Sequence, residues 1–353
     1  MPDLNTQPHR PRSWVTSPGR RVGARRLGSR WKHQAASTVL SAAGIALFLT
    51  ACSATSSATP AASRTSPATA TRAAAGASRA GSVPQGPYVA LGDSYTAGPD
   101  IPHPVGATAG CGQSSSSYPY LIAHRLQLQL TDMSCGSATI ASLSASQPTD
   151  DGTNPAQLSA LSASTRLVTL GIGGNDVDWA AIITRCTELD LVPALIPGGA
   201  TSKLTPCQDY FTAGGVDQIQ RKIRATAGDL TTALTQIRRL APHARVYVVG
   251  YPDLLPAAGS TCAHTLGITQ GDAYFLSNEE ISLNRMLRHD AQAANDGYIN
   301  TYTPSEGHDA CSSPASRWIE PLLPSSPAAP LHPNAAGEQG MADAVMHAIT
   351  GTA

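Results

Sequence analysis

The sequence is poor in charged and aromatic side chains. Only 14% of its 353 residues are charged, the 24 lysines and arginines balance 24 aspartates and glutamates, and aromatic residues make up 5%. A chain without excess positive charge has no general attraction for a phosphate backbone, and few aromatic rings leave little platform for stacking bases. The composition therefore argues against a nucleic-acid partner.

Closely spaced cysteine pairs and membrane-length apolar runs are also missing. No Cys-x-x-Cys sequence occurs, so the seven cysteines do not suggest a zinc site, and neither a metal nor another cofactor is expected. The apolar stretch at residues 35–49 is shorter than the roughly 20 residues that a spanning helix needs.

Positive charge is concentrated at the amino terminus. The first 32 residues hold eight arginines and lysines against one acid, Asp3. A basic segment followed by a short apolar run is typical of a secretory signal. The run ends in Leu49-Thr50-Ala51-Cys52, which resembles the lipobox of bacterial lipoproteins. That resemblance implies that Cys52 is acylated; a signal cleaved without lipidation and an uncleaved anchor are the alternatives.

Three regions follow from the composition. Residues 1–52 form the basic leader and lipoprotein-type signal peptide. Residues 53–86 are almost entirely Ala, Ser, Thr, Pro and Gly, a mixture that cannot bury enough apolar surface to fold, and they are expected to form a disordered tether. Residues 87–353 form the folded domain, in which no internal repeat is visible.

Apolar runs alternate with helical patterns along the folded domain. Strands are predicted at residues 88–91, 167–172, 246–250 and 298–299, and helices at residues 118–130, 216–240, 273–294 and 335–349, with a short one near residues 157–161. The segment at residues 189–205 is expected to be a loop of the substrate pocket. This alternation predicts an α/β fold with a parallel sheet covered by helices on both faces.

Two of the predicted strands end in turns that carry reactive side chains. Gly92-Asp93-Ser94 follows the first strand, and Gly173-Gly174-Asn175-Asp176 follows the second. Open α/β sheets bind ligands beyond the carboxyl ends of their strands. Ser94 is therefore a candidate nucleophile, and the alternative is an ordinary turn or capping serine.

The folded domain contains six cysteines, and an even number in an exported protein indicates disulfides. Several pairings are possible. The simplest joins neighbours in sequence, namely Cys111–Cys135, Cys186–Cys207 and Cys262–Cys311.

Three blocks in order resemble the GDSL/SGNH hydrolases: Gly92-Asp93-Ser94, Gly173-Gly174-Asn175-Asp176 and His332-Pro333-Asn334. The six-cysteine arrangement is similar to the secreted bacterial lipase/esterase branch. The resemblance implies the SGNH hydrolase fold, a three-layer α/β/α sandwich with a flavodoxin-like parallel sheet. It also implies hydrolysis of esters by serine and histidine.

The resemblance assigns roles to particular residues. Ser94 is the nucleophile and His332 the base, since imidazole titrates near neutral pH. The oxyanion donors are the Asn175 side chain, the Ser94 backbone N–H and a third backbone N–H, which falls on Ser137, with Gly136 as the alternative. His308 is the next candidate for the base.

The chain departs from the family at the acid of the catalytic triad. Many members carry an aspartate three residues before the histidine, where this chain has Ala329, and no carboxylate lies between Glu320 and His332. Some relatives orient the histidine with a backbone carbonyl, so a Ser94–His332 dyad with the Pro330 carbonyl is expected. Asp93, Asp176 and Asp178 are interpreted as turn-fixing or helix-capping residues.

The favoured function is an exported esterase or lipase that acts on an ester or lipid substrate. It is lipid-anchored through Cys52 on the outer face of the cell membrane, or secreted. Phospholipase A1 and glycan O-deacetylase are alternatives within the hydrolases. A non-catalytic surface-binding lipoprotein is the alternative of another class.

Overall fold

The computed structural model describes residues 83–106, 108–195, 204–256, 262 and 265–351. Its strands in this part of the chain are β1 (Tyr88–Gly92), β2 (Leu130–Asp132), β3 (Gln147–Thr149), β4 (Gly152–Asn154), β5 (Leu167–Gly171), β6 (Arg245–Val249) and β7 (Gly297–Ile299). Its helices are α1 (Ser94–Ala97), α2 (Tyr118–Leu126), α3 (Ile140–Ser144), α4 (Trp179–Leu195), α5 (Pro206–Phe211), α6 (Gln218–Leu240), α7 (Gln270–Ala293), α8 (Tyr302–Ser305) and α9 (Ala335–Thr350).

The central sheet has the strand order β2-β1-β5-β6-β7, and every neighbouring pair is parallel. This is the order of a flavodoxin-like sheet. All residues of β1 and β5 are buried, as expected for strands covered on both faces. Strands β3 and β4 form a separate antiparallel hairpin. The predicted α/β fold and its four strands are confirmed.

Successive side chains of β1 point to opposite faces of the sheet and so contribute to two apolar cores. On one face the sheet packs against α2 and α9, and on the other against α3, α6 and α7. The first core includes Tyr88, Ala90, Ile122, Tyr247, Met341 and Val345. The second includes Val89, Leu91, Ile140, Val168, Leu230 and Leu283. The molecule is therefore a three-layer α/β/α sandwich.

The long helices begin at side-chain caps. Asp217 accepts a hydrogen bond from the Gln220 N–H at the start of α6, and Thr269 accepts one from Asp272 at the start of α7. Such caps satisfy backbone donors that have no partner within the helix. In the part of the chain that the structure describes, no helix is both long and apolar enough to cross a membrane.

Three details of the sequence-based assignment are wrong. The helix predicted at residues 118–130 ends at Leu126, because Gln127 adopts a left-handed conformation and Leu130 begins β2. Val216 precedes the cap of α6 and is 45% exposed, so it does not belong to the buried helical face. The segment from residue 189 to 195 is the end of α4 and not a loop; residues 196–203 lie outside the described residues.

The disulfides join neighbours in sequence: Cys111–Cys135, Cys186–Cys207 and Cys262–Cys311. The second bond connects α4 to α5. The first fixes the loop after β1 to the segment that follows β2. Because each bond closes a loop, it restricts the unfolded chain and stabilises the fold.

Several carboxyl groups are buried in the domain. Burial raises the pKa of Asp132, Asp253 and Glu279 to about 7 each. Burial also raises the pKa of Glu338 well above its ordinary value, and this side chain is fully inaccessible. Carboxyls in unfolded chains titrate near pH ~4. Between about pH 4 and 7 the native state therefore holds protons that the unfolded state has released.

We predict that the domain is more stable at pH 5 than at pH 8. Stability falls with rising pH wherever the native state binds more protons, and these carboxyls act in that direction. The measurement is the melting temperature by circular dichroism across this range. The variant Glu338→Gln is expected to show a shallower pH dependence, because it lacks one of the titrating groups. A melting temperature that rises from pH 5 to pH 8 would contradict the prediction.

Candidate active site

Three parallel strands bring distant segments to one edge of the sheet. In the register of the sheet, β1, β5 and β6 are adjacent and Gly92 lies beside Gly171. Ser94 follows β1, Asn175 follows β5, and Tyr251 follows β6. Since the strands are parallel, all three residues emerge at the same edge.

The turn after β1 requires glycine before the serine. Gly92 has a φ of 153°, and a Cβ atom there would lie 2.3 Å from Thr96 Oγ1 and 2.4 Å from the Gly171 carbonyl oxygen. Asp93 then caps α1 by accepting a hydrogen bond from the Tyr95 N–H at 3.0 Å. Ser94 is the first residue of this four-residue helix, with its side chain at the edge of the sheet.

The segment that carries His332 is held by Glu320. The Glu320 N–H donates to the His332 carbonyl oxygen at 3.0 Å, and the Leu331 N–H donates to the Glu320 carbonyl oxygen at 3.0 Å. The Glu320 carboxylate accepts hydrogen bonds from Asn334 and Ser325 at 2.8 Å each. Although burial opposes ionisation, these donors hold the pKa of Glu320 below its ordinary value.

The serine and the histidine meet although they lie 238 positions apart. Ser94 Oγ is 2.7 Å from His332 Nε2, and His332 Nδ1 is 2.7 Å from the Pro330 carbonyl oxygen. A carbonyl oxygen only accepts, so Nδ1 carries the proton and Nε2 accepts from the serine hydroxyl. The Tyr95 hydroxyl donates to the Leu331 carbonyl oxygen at 2.6 Å and connects the two segments.

Burial lowers the pKa of His332 below its ordinary value, while the Pro330 carbonyl and the charge of Asp100 oppose this shift. The imidazole is therefore neutral at pH 7, and its Nε2 lone pair is free to accept a proton. This is the protonation state that a general base requires.

Asn175 faces the same cleft from the end of β5. One N–H of its side-chain amide donates to the Ala138 carbonyl oxygen at 2.9 Å. An asparagine amide has two N–H groups, so the second remains for a ligand. Asp176, the next residue, accepts from the Ile140 N–H with both oxygens at 3.1 Å and ties the loop to α3.

The two alternatives for a third donor differ in their hydrogen bonds. The Gly136 N–H donates to the Cys111 carbonyl oxygen at 2.9 Å, whereas the Ser137 N–H donates to no acceptor among the described residues. Ser137 has a φ of 60°. The segment that carries it lies at the end of β1, because the Cys135 N–H donates to the Gly92 carbonyl oxygen. The Ser94 N–H also has no acceptor among the described residues.

Ser94, Asn175 and His332 line one cleft at this edge of the sheet. Its other lining side chains are mainly apolar or aromatic and include Tyr95, Trp179, Tyr251, Leu254, Leu283 and Leu331. Glu280 and Asp93 are the exceptions: burial raises the pKa of Glu280 well above its ordinary value and that of Asp93 to about 7. At neutral pH the cleft is therefore a largely apolar pocket beside the serine.

Two other residues singled out from the sequence, His308 and Asp178, do not line this cleft. The His308 ring stacks on Trp318 with centroids 4.5 Å apart, and its Nδ1 bonds the Ser316 carbonyl oxygen, so it does not face Ser94. Asp178 forms an exposed ion pair with Lys222 rather than a cap. Cys52 lies outside the described residues.

Sequence reasoning missed the two tyrosines of the site. Tyr251 follows the third strand, so the rule that ligands bind beyond strand ends pointed to its position, although not to its contacts. Tyr95 adjoins the nucleophile candidate. Trp179 and Glu280 lie on helices and had no local signal.

The family model described as the GDSL-like lipase/acylhydrolase family matches residues 90–339, which include Ser94, Asn175 and His332. The chain belongs to this family. It is 39% identical over 264 residues to Lipase 2 of Streptomyces coelicolor, covering 74% of this chain and 85% of that protein. It is 28% identical over 254 residues to Lipase 1 of the same organism, covering 72% and 82%.

Solved structures share the fold of this GDSL hydrolase. The phospholipase A1 of Streptomyces albidoflavus NA297 has a TM-score of 0.60 at 24% identity, covering 76% of this chain and all of the other (100%). The extracellular lipase of Streptomyces rimosus has a TM-score of 0.60 at 23% identity, covering 74% and 99%. With the family established, the protein is a carboxylic-ester hydrolase of the GDSL type.

We predict that the imidazole of His332 titrates below pH 6.5. Burial is the dominant influence on its pKa and favours the neutral ring. The measurement is an NMR titration of the histidine rings, with the resonance of His332 assigned by its loss in His332→Gln. In Ala329→Asp a carboxylate is placed three residues before the ring and is expected to raise its pKa. A wild-type value above 6.5 would contradict the account.

Proposed function

We propose that this protein is an exported serine esterase or lipase that hydrolyses carboxylic esters with a Ser94–His332 dyad. The observation that carries the proposal is the 2.7 Å contact between Ser94 Oγ and His332 Nε2 beside an apolar cleft. A serine hydroxyl is a weak nucleophile unless a base within hydrogen-bond reach takes its proton. In this site His332 is that base.

In the proposed reaction His332 Nε2 takes the hydroxyl proton while Ser94 Oγ attacks the ester carbonyl carbon. The resulting oxyanion accepts hydrogen bonds from the Asn175 side chain and from the backbone N–H groups of Ser94 and Ser137. The intermediate collapses as His332 returns the proton to the leaving alcohol. Water then attacks the acyl-enzyme by the same route and releases the acid.

The Pro330 carbonyl takes the place of the triad acid in this scheme. It holds the Nδ1 proton at 2.7 Å and so selects the tautomer that leaves Nε2 free. A neutral carbonyl stabilises the imidazolium less than a carboxylate does, because it carries no full charge. The firm attachment of the histidine segment to Glu320 compensates by keeping the ring in place.

The walls of the cleft favour a substrate with an apolar acyl group. Trp179, Leu254 and Leu283 present apolar surface next to Ser94, which a fatty acyl chain would cover favourably. An acetylated glycan offers little apolar surface for these walls. The names of the relatives, which include lipases, agree with an acyl-ester substrate.

We predict that Ser94→Ala abolishes turnover of p-nitrophenyl butyrate and leaves the fold intact. The expected loss is at least ~10³-fold, because the variant has no nucleophile. The assay compares it with Ser115→Ala, an exposed serine that bonds His103 outside the cleft. Retained activity in Ser94→Ala would place the nucleophile elsewhere. A wild-type protein without any esterase activity would favour a surface-binding role.

The domain organisation is part of the proposal. Residues 1–52 would direct export and end at an acylated Cys52, residues 53–86 would tether the domain, and residues 87–353 would form the hydrolase. The three disulfides of the domain suit an oxidising compartment outside the cytoplasm. The structural neighbour from S. rimosus is itself described as extracellular.

We predict that the exported protein carries lipid on Cys52. Its intact mass should equal that of the chain from Cys52 onward with the added acyl groups and three disulfides. Cys52→Ala should release the hydrolase into the medium, since the tether would lose its anchor. A wild-type protein that is soluble and unmodified at Cys52 would show that the signal is simply cleaved.

A further inference from the structure

Tyr251 joins the two segments of the site that carry Ser94 and Asn175. It follows β6, and its hydroxyl donates to Asp93 Oδ2 at 2.5 Å. The Tyr251 hydroxyl oxygen also accepts a hydrogen bond from the Gly174 N–H at 2.8 Å. One buried hydroxyl therefore connects the residue before Ser94 to the residue before Asn175.

The backbone of Tyr251 is itself fixed by α7. Asn284 Oδ1 accepts the Tyr251 N–H at 2.8 Å, and Asn284 Nδ2 donates to the Tyr251 carbonyl oxygen at 2.9 Å. The ring packs edge-on against Tyr95 with centroids 5.1 Å apart. The position of the hydroxyl thus depends on a long helix and not on the loop that it contacts.

The loop after β5 needs such an external contact. Gly173 has a φ of 117°, and a second glycine, Gly174, follows it. Glycine pairs restrict the backbone little. A Cβ atom on Gly174 would lie 3.1 Å from the Tyr251 hydroxyl oxygen, so the loop runs directly along this side chain. The contact with Tyr251 fixes the loop just before Asn175, while the bonds of Asp176 to α3 and of Asn175 to Ala138 hold it just beyond.

We propose that Tyr251 is a positioning residue that aligns Asn175 with Ser94 for oxyanion binding. The inference rests on the proposed function, because it assumes that Asn175 and Ser94 bind the oxyanion. Tyr251 lines the cleft, but its single hydroxyl proton is donated to Asp93 and none remains for a substrate. Its effect passes through the two loops and not through a contact with the ester.

The experiment compares Tyr251→Phe with Tyr88→Phe. Tyr88 is a matched control, because it is fully buried and its hydroxyl bonds one side chain, Thr169, at 2.8 Å in the opposite core. For p-nitrophenyl butyrate, Tyr251→Phe should lower kcat about 10- to 100-fold, less than the ~10²–10³-fold lost with an oxyanion donor itself. KM should stay within about twofold. Fluorophosphonate should label Ser94 more slowly by a similar factor. Tyr88→Phe should keep both constants within about twofold.

A second variant tests the same contact from the other side. Gly174→Ala crowds the Tyr251 hydroxyl and should lower kcat in the same way. This variant supplies the test if Tyr251→Phe fails to fold. In the Tyr251→Phe background the added methyl group has more room, so the combined loss should be smaller than the product of the single losses.

The outcomes separate the inference from the function on which it rests. If Ser94→Ala is inactive but Tyr251→Phe and Gly174→Ala keep their kcat, Tyr251 has no positioning role. If Tyr251→Phe raises KM at unchanged kcat, it contacts the substrate and the inference is also wrong. If Ser94→Ala keeps activity, the proposed function itself fails.

Discussion

The hydrogen bond between Ser94 Oγ and His332 Nε2 is the contact on which the site depends. It joins residues 238 positions apart, so it exists only because the sheet and α9 hold both segments in place. On one side, Gly92 permits the turn that begins α1 at Ser94. On the other side, the backbone of Glu320 pairs with Leu331 and His332, and its carboxylate accepts a hydrogen bond from Asn334. The site is thus a consequence of packing across the whole domain.

Tyrosine hydroxyls connect the three segments that meet in the cleft. Tyr95 bonds the Leu331 carbonyl oxygen beside His332, and Tyr251 bonds Asp93 and the loop before Asn175. The bond to Asp93 is buried and the other two are partly buried, and a hydrogen bond shielded from water is strong and costly to lose. In the proposed dyad the Pro330 carbonyl orients the histidine instead of a carboxylate, so catalysis would depend more on rigid placement of the reacting groups. The arrangement therefore combines a weak electrostatic partner for the histidine with firm support of each loop.

Much of the fold was predictable because its signals are local. The apolar runs of β1 and β5 are fully buried in a parallel sheet. The amphipathic pattern of α6 matches a helix with one face on the core and the other in solvent. The failures have tertiary causes. Strand β2 has only three residues and forms because it can pair with the edge of β1. Helix α4 was not predicted, because its segment has no turn or periodicity signals. The long helices were predicted, but their predicted ends differ from the observed ends by a few residues, because capping residues determine where a helix begins and ends.

The candidate site was predictable to the extent that short motifs determine it. Ser94, Asn175 and His332 lie in recognisable blocks. Gly136 and Ser137 differ in whether their backbone N–H already donates to another backbone group, which the sequence does not show.

The most direct test of the central claim is peptide mapping after reaction with a fluorophosphonate. The account predicts a single adduct on Ser94 that is absent in His332→Ala. An adduct on another serine, or undiminished labelling of Ser94 in His332→Ala, would contradict it.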